Sequence, residues 1–257
     1  MKRTIFVVSL LVALVSTAIL AVPTQGNGGL AQAPRIHERG ATSTSTNWSG
    51  YAVETNFARP QSGVVTDVKG TWAVPTVTGT NNAYSAIWVG IDGFSSNTVE
   101  QLGTEQDWIN GKPVYSAWWE MYPGPSFTIT GFAVKPGDTI TAEVKYIGGG
   151  LFTLSMTDVT TRQVFATNQQ SKSAKRSSAE WIVEAPWMGG VLPLADFSTS
   201  TFSGASTTLK GLTGSISDSA WQKTSINMVN SSGGLKASTG PLLSDGTSFN
   251  VTWVSNN

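Results

Sequence analysis

The sequence predicts an all-β protein, an antiparallel sandwich or barrel, and three observations carry that prediction. Short segments alternate apolar and polar residues and are rich in Val, Ile, Thr, Trp and Tyr. Gly, Pro, Asn and Asp divide these segments about every ten residues, as turns divide the strands of sandwiches. No stretch beyond the N-terminal apolar run has helical periodicity.

The individual strands follow from this alternation and from the turn signals between them. Lys135-Pro136-Gly137-Asp138 and Asp245-Gly246-Thr247 are typical turn sequences. The predicted strands include residues 48–55, 64–74, 85–91, 114–121, 127–134, 139–146, 151–156, 164–167, 180–185, 225–229 and 249–254.

The pattern at the N-terminus predicts a targeting segment followed by a linker. Residues 1–22 have a basic start and a long apolar run, which is typical of a signal peptide. The run is also long enough for a retained membrane anchor. Residues 23–46 are rich in small residues without periodicity and are predicted to be a linker or pro-segment. We therefore expect a secreted protein whose β-sandwich domain covers residues 47–257.

Composition excludes several kinds of chemistry. The chain has no cysteine, and its single histidine, His37, lies in the predicted pro-segment. Without that segment, a Ser-His-Asp triad, a Cys-His pair and a His- or Cys-ligated zinc site are excluded. From residue 47 onward 12 basic and 15 acidic residues give a net charge of −3, which does not suit nucleic-acid binding. We expect a monomer without metal or cofactor.

Two central segments each carry one aliphatic face and one mixed face. In AIWVGID, Trp88 and Asp92 share a face, opposite the aliphatic residues. In VYSAWWEMYP, Trp118, Glu120 and Tyr122 share a face. Such aromatic faces with a few polar groups are typical of a ligand groove, although a strand Trp is more often a core residue.

Two further segments add polar groups to such a face. In NTVEQLGTEQD, Gln101 lies with Val99, away from Leu102. In SSAEWIVEAPW, Glu180 and Glu184 share the face opposite Trp181 and Val183. A carboxylate flanked by aromatic residues is partly desolvated, which raises its pKa and makes it a candidate for acid–base chemistry. An acid on an exposed strand face would instead be merely solvated.

Several of these segments together resemble the glutamic peptidases, or eqolisins. The resemblance covers roughly residues 47–254 in consistent order. The matching stretches are NWSGY at 47–51, WAVP at 72–75, IWVGIDG at 87–93, EQLGTE at 100–105, SAWWEMYP at 116–123, AEWIVEAP at 179–186, VLPLADF at 191–197, SINMVN at 225–230 and DGTSFNVTW at 245–253.

The resemblance implies a secreted, acid-active endopeptidase that acts on polypeptides through a Gln/Glu dyad. Gln101 matches the catalytic glutamine and Glu184 the catalytic glutamate, whereas Glu180 matches an acid that is not catalytic. Glu184 would act as general base and acid on a water, and Gln101 would stabilise the oxyanion. The residues that the resemblance places around the dyad are Trp48, Trp88, Asp92, Trp118, Glu120 and Tyr122.

The implied fold is a sandwich of two large antiparallel sheets, of the concanavalin A-like, lectin and glucanase type. Two departures from the family pattern stand out. The acid that often follows the glutamine corresponds here to either Glu105 or Asp107. The disulfides of fungal members are missing, which resembles the bacterial branch.

Two rival functions fit the residues without the resemblance. A glycosidase pairs two carboxylates across a sugar, and Glu120 with Glu184 would supply such a pair. A lectin-like binding module would use Trp48, Trp88 and Trp118 as a platform without catalysis.

Overall fold

The computed structural model describes residues 42–257, which form sixteen β-strands and no helix. The predictions for residues 1–41 lie outside the described residues. Within residues 42–257 no helix has the length and apolarity that a membrane span requires. The strands are β1 Thr42–Ser45, β2 Trp48–Glu54, β3 Val65–Ala73, β4 Ala86–Ile91, β5 Val99–Ile109, β6 Lys112–Tyr122, β7 Ser126–Thr128, β8 Thr139–Gly148, β9 Leu151–Asp158, β10 Val164–Gln170, β11 Ser178–Glu184, β12 Thr199–Leu209, β13 Leu212–Ser215, β14 Gln222–Val229, β15 Leu235–Thr239 and β16 Phe249–Trp253.

The strands form one continuous hydrogen-bonded path that is folded into two packed layers. Its order is β10-β9-β8-β3-β12-β16-β15-β14-β2-β11-β4-β5-β6-β7. Strand β3 packs on β4 and β11, and β8 packs on β4 and β5, so the two halves of the path lie face to face. All these pairings are antiparallel, and β1 adds to β14 in parallel. The predicted all-β sandwich is therefore confirmed.

The core lies between the two layers and takes the aliphatic faces predicted from alternation. Ile87, Val89 and Trp181 are fully buried there, packed against the opposite layer. The Trp181 indole donates a hydrogen bond of 2.7 Å to the Lys69 carbonyl of that layer. A Cβ at Gly70 would lie 2.7 Å from the same indole, so a glycine is needed for this close packing.

The other face of strands β2, β11, β4, β5 and β6 is called the site face below. It carries a second, separate cluster of buried apolar residues, which includes Trp48, Trp88, Trp118 and Ile182. The two-faced character of these strands was predicted from period-two alternation, and the structure shows it.

Several local features differ from the sequence prediction, and three strands are among them. The strand predicted over residues 127–134 is shorter, because β7 ends at Thr128. Strand β12, Thr199–Leu209, was missed because its Ser, Thr and Gly residues give no clear apolar alternation and a bulge shifts its register. Strand β1 lies within the segment assigned to the linker, so regular structure begins before residue 47.

Candidate active site

Strand register places Glu184 on the site face, between β2 and β4. Strand β11 lies between β2 and β4, where Glu184 is opposite Trp48 on one side and Ala86 on the other. Strand β5 lies next to β4, and Glu105 continues the same cross-strand row. The carboxyl group at the end of β11 is thereby surrounded by strands that are distant in sequence.

The same register brings the remaining predicted side chains onto this face. Trp88 on β4 is opposite Gly103 on β5, which is opposite Trp118 on β6. Gln101 on β5 is opposite Glu120 on β6. Four strands therefore contribute side chains to one face of the sheet.

The carboxyl group of Glu184 is held at both oxygens by neutral N–H donors. The Trp88 indole donates to Oε2 at 2.8 Å, and the Asn47 side-chain amide donates to Oε1 at 3.3 Å. Glu184, Trp88 and Asn47 are all completely buried. None of these donors titrates, so they hold the carboxyl group in the same way at any pH.

Burial has the largest effect on Glu184 and raises the pKa of its carboxyl well above the ordinary value. The nearby charge of Glu120 raises it further, whereas the donors Trp88, Trp48 and Asn47 lower it. A carboxylate that works as a base in acid needs hydrogen bonds or a neighbouring positive charge to balance its burial. The donors are present, but burial outweighs them when the carboxyl group is considered alone.

Gln101 and Glu120 form the second half of the cluster. The Gln101 amide nitrogen donates to Glu120 Oε2 at 2.8 Å, and both side chains are buried. Since Glu120 also acts electrostatically on Glu184, the three polar groups form one interacting set. In such a set a carboxyl can serve as general base and acid, and an amide N–H can donate to an oxyanion.

Two glycines leave the space that the Trp88 side chain occupies. A Cβ at Gly103 would lie 2.6 Å from Trp88 Cβ, and one at Gly90 would lie 2.9 Å from the far edge of the indole. The indole also meets Trp48 edge-to-face, with ring centroids 4.9 Å apart. The ring that donates to Glu184 is therefore fixed from several sides.

Trp118 and Tyr122 complete the aromatic part of the face. Trp118 is fully buried, and its indole N–H has no hydrogen-bond partner within residues 42–257. A buried polar group without a partner is uncommon in proteins, so this donor is a feature of the site that needs an explanation. Tyr122 is half-buried and packs against the same apolar cluster.

Asp92 is placed differently from the other predicted residues. It follows the end of β4 with a positive φ of 76°. Its carboxylate accepts hydrogen bonds from the backbone N–H of Arg176 at 2.6 Å and of Ser177 at 2.9 Å. These contacts fix the segment that leads into β11, so Asp92 supports the strand that carries Glu184.

Both candidates for the acid after the glutamine point to the site face. Glu105 shares the cross-strand row of Glu184 and accepts from Ser116 Oγ at 3.2 Å. Asp107 lies one step further along β5, where burial and the charge of Glu105 raise its pKa to about 8. Glu105 is thus the nearer of the two acids to Glu184 along the sheet.

Asn47 is a site residue that sequence reasoning missed. It stands just before β2 in the NWSGY stretch, whose tryptophan alone was singled out. Only the pairing of β2 with β11, across 137 residues, brings its amide to Glu184.

Among the described residues, no group of three or more His, Cys, Asp and Glu side chains could hold a metal ion.

Comparison with known proteins agrees with this geometry. Residues 46–253 match the model of the peptidase A4 family. Scytalidopepsin B of Scytalidium lignicola is 30% identical over 195 residues, which cover 68% of this chain and 71% of the relative.

Solved structures give the same result. Scytalido-glutamic peptidase with a transition-state analogue inhibitor superposes with a TM-score of 0.67 and 25% identity, over 81% of this chain and 98% of that one. Aspergilloglutamic peptidase from Aspergillus niger superposes with a TM-score of 0.60 and 28% identity, over 67% and 99% of the two chains. The chain therefore belongs to the peptidase A4 family and is a glutamic endopeptidase.

Proposed function

We propose that this protein is a secreted, acid-active endopeptidase that hydrolyses peptide bonds through Gln101 and Glu184. The observation that carries the proposal is the Glu184 carboxyl group, held by two non-titrating donors in one cluster with Glu120 and Gln101. The similar scytalido-glutamic peptidase has been solved with a peptide-based transition-state analogue, which supports a polypeptide substrate.

The reaction needs a base for the attacking water, a donor for the oxyanion and a proton for the leaving amine. Glu184 takes the proton from the water and then gives it to the leaving nitrogen. The Gln101 amide N–H, which now donates to Glu120, turns to the oxyanion that develops on the scissile carbonyl. The amide keeps its proton at acid pH, which suits this role.

The pair of Glu120 and Glu184 explains how a buried base stays usable in acid. Two interacting carboxyls lose their protons in two steps that belong to the pair, and the first step leaves one negative charge on it. That charge is best placed on Glu184, where the N–H groups of Trp88, Trp48 and Asn47 favour the charged form. Glu120 then keeps the second proton.

Substrate binding falls to the aromatic part of the site face. The indole N–H of Trp118 is a buried donor that a peptide carbonyl would satisfy. Tyr122 and the apolar cluster around Trp118 offer contact surface for side chains.

The decisive experiment compares three variants of the full chain in digestion of an unfolded protein from pH 2 to 7, after mass spectrometry has mapped any processing. Glu184→Gln should lose at least about 10³-fold in kcat/KM, because no group remains to activate the water. Gln101→Ala should lose about 10²–10³-fold, the usual effect of removing one oxyanion donor. Glu180→Gln is the matched control, since it makes the same change on the same strand and face.

Each outcome has a definite meaning. Loss in the first two variants, with cleavage retained by Glu180→Gln, supports the dyad. Cleavage that survives Glu184→Gln would move the base to another acid. If no form of the processed protein cleaves peptides, a panel of glycans would test the sugar-cleaving alternative.

A further inference from the structure

We infer, on the basis of the proposed function, that Asn47 is a positioning residue for the reaction and that Ser45 sets its orientation. The two residues would fix the Glu184 carboxyl group and favour its charged form. They lie at the connection between β1 and β2, on the edge of the region that the sequence assigned to a linker.

The Ser45 hydroxyl group makes three hydrogen bonds that use its full capacity. It accepts from the backbone N–H of Asn47 at 3.2 Å and of Trp48 at 3.0 Å. Its own proton goes to Asn47 Oδ1, at 2.8 Å. A hydroxyl group offers two acceptor positions and one donor, so no other arrangement satisfies both backbone N–H groups.

This network decides which end of the Asn47 amide faces the catalytic carboxyl. Because Oδ1 receives the Ser45 proton, Nδ2 points to Glu184 Oε1, at 3.3 Å. An amide turned the other way would present an oxygen to the carboxylate and would favour its protonated form. The Ser45 hydroxyl therefore acts on Glu184 through Asn47.

The backbone of Asn47 also links the β1–β2 connection to the end of β11, the strand that carries Glu184. Its carbonyl accepts from the N–H of Ala185 at 2.8 Å, directly after Glu184. Ser45 in turn lies at the end of β1, which pairs with β14. Both the side chain and the backbone of Asn47 thus fix Glu184, and all three side chains are completely buried.

A purely structural Asn47 would behave differently from a positioning one. Loss of a structural contact lowers stability or the yield of active protein at every pH by the same factor. Loss of a donor to the charged carboxylate shifts the pH at which the base becomes protonated. The acid limb of the pH–rate profile therefore separates the two roles.

The test measures kcat/KM on a peptide substrate from pH 2 to 7 for Asn47→Ala, Ser45→Ala and Asn227→Ala in the full chain. Asn47→Ala should move the acid limb upward by about one pH unit, because the charged form of Glu184 loses a donor. Ser45→Ala should move it in the same direction by less. Asn227→Ala, which removes an amide that bonds to the Thr239 backbone, should leave the limb in place.

The outcomes separate this inference from the proposed function. An unmoved acid limb in both Asn47→Ala and Ser45→Ala would overturn the inference, even with Glu184→Gln inactive and the dyad intact. Cleavage by Glu184→Gln would instead overturn the proposed function. Should Asn47→Ala fail to fold, Ser45→Ala decides alone, because it leaves the Asn47 side chain in place.

Discussion

Glu184 and Glu180 make an instructive comparison because they differ only in their neighbours. They lie on the same strand and face, four residues and about 13 Å apart. Both are completely buried, and burial raises the pKa of each well above the ordinary value. Glu184 receives hydrogen bonds of normal geometry from two neutral donors.

Glu180 has mainly other acids around it. The charges of Asp92 and Glu54 raise its pKa further. The Ser178 hydroxyl and the Phe94 backbone lie near enough to lower the pKa, but neither makes a hydrogen bond of normal geometry to the carboxyl. Under the proposed function, the directed donors are what distinguish the base, Glu184, from the equally buried Glu180.

The largest change in the ionisation of Glu184 should come from removing the donor of its shorter hydrogen bond. Trp88→Phe deletes the 2.8 Å hydrogen bond to Glu184 Oε2. Glu184 would then resemble Glu180 more closely, because its shorter hydrogen bond would be gone. We expect the acid limb of kcat/KM to move upward by about 1–2 pH units, with at least a tenfold loss below pH 4. The measurement is the pH–rate profile on a peptide substrate.

Trp118→Phe is the matched control for the loss of an indole on the same face. Its N–H has no hydrogen-bond partner within residues 42–257, so the limb should stay in place whatever happens to substrate binding. A limb that moves equally in both variants would show that packing, rather than hydrogen bonding, sets the ionisation of Glu184.

The second prediction concerns stability and the Glu180 side of the comparison. A carboxyl whose pKa is raised on folding contributes stability that is fully present below its unfolded pKa and is lost as the pH rises through its folded pKa. In Glu180→Gln the side chain is neutral at every pH, so the variant does not lose this stability as the pH rises. The variant should equal the wild type at pH 3 and exceed it by about 1 kcal/mol or more at pH 7, in urea unfolding.

Two acidic residues near Glu180 support the expected loss of stability at neutral pH. Glu54 from β2 and Asp92 from the end of β4 are the charges that act on it most strongly, and both oppose its ionisation. If the stability difference between variant and wild type were the same at pH 3 and pH 7, Glu180 would not be the group that titrates.

The sequence predicted the face of nearly every site residue, because alternation in a strand is a local property. Trp88, Gln101, Glu120 and Glu184 all lie on the face that period two assigned to them. Asp92 departs from the pattern because β4 ends at Ile91 and the backbone turns there. Alternation cannot be extended past the end of a strand.

The contacts between strands could not be predicted in the same way. The hydrogen bond of Asn47 to Glu184 depends on the register of β2 with β11, which local sequence does not specify. Strand β1 was missed for a related reason, since a four-residue Ser/Thr segment becomes a strand only through its pairing with β14.

The smallest effect on the acid limb should come from Glu120→Gln. The variant keeps an oxygen to accept from Gln101 and removes the carboxyl that holds the second proton of the pair. Because Glu120 is already neutral while Glu184 ionises, the acid limb should move by less than about one pH unit. Because only one carboxyl of the pair remains, the profile should lose one of its two ionisations. A larger shift of the acid limb to lower pH would mean that Glu120 already carries a negative charge when Glu184 ionises.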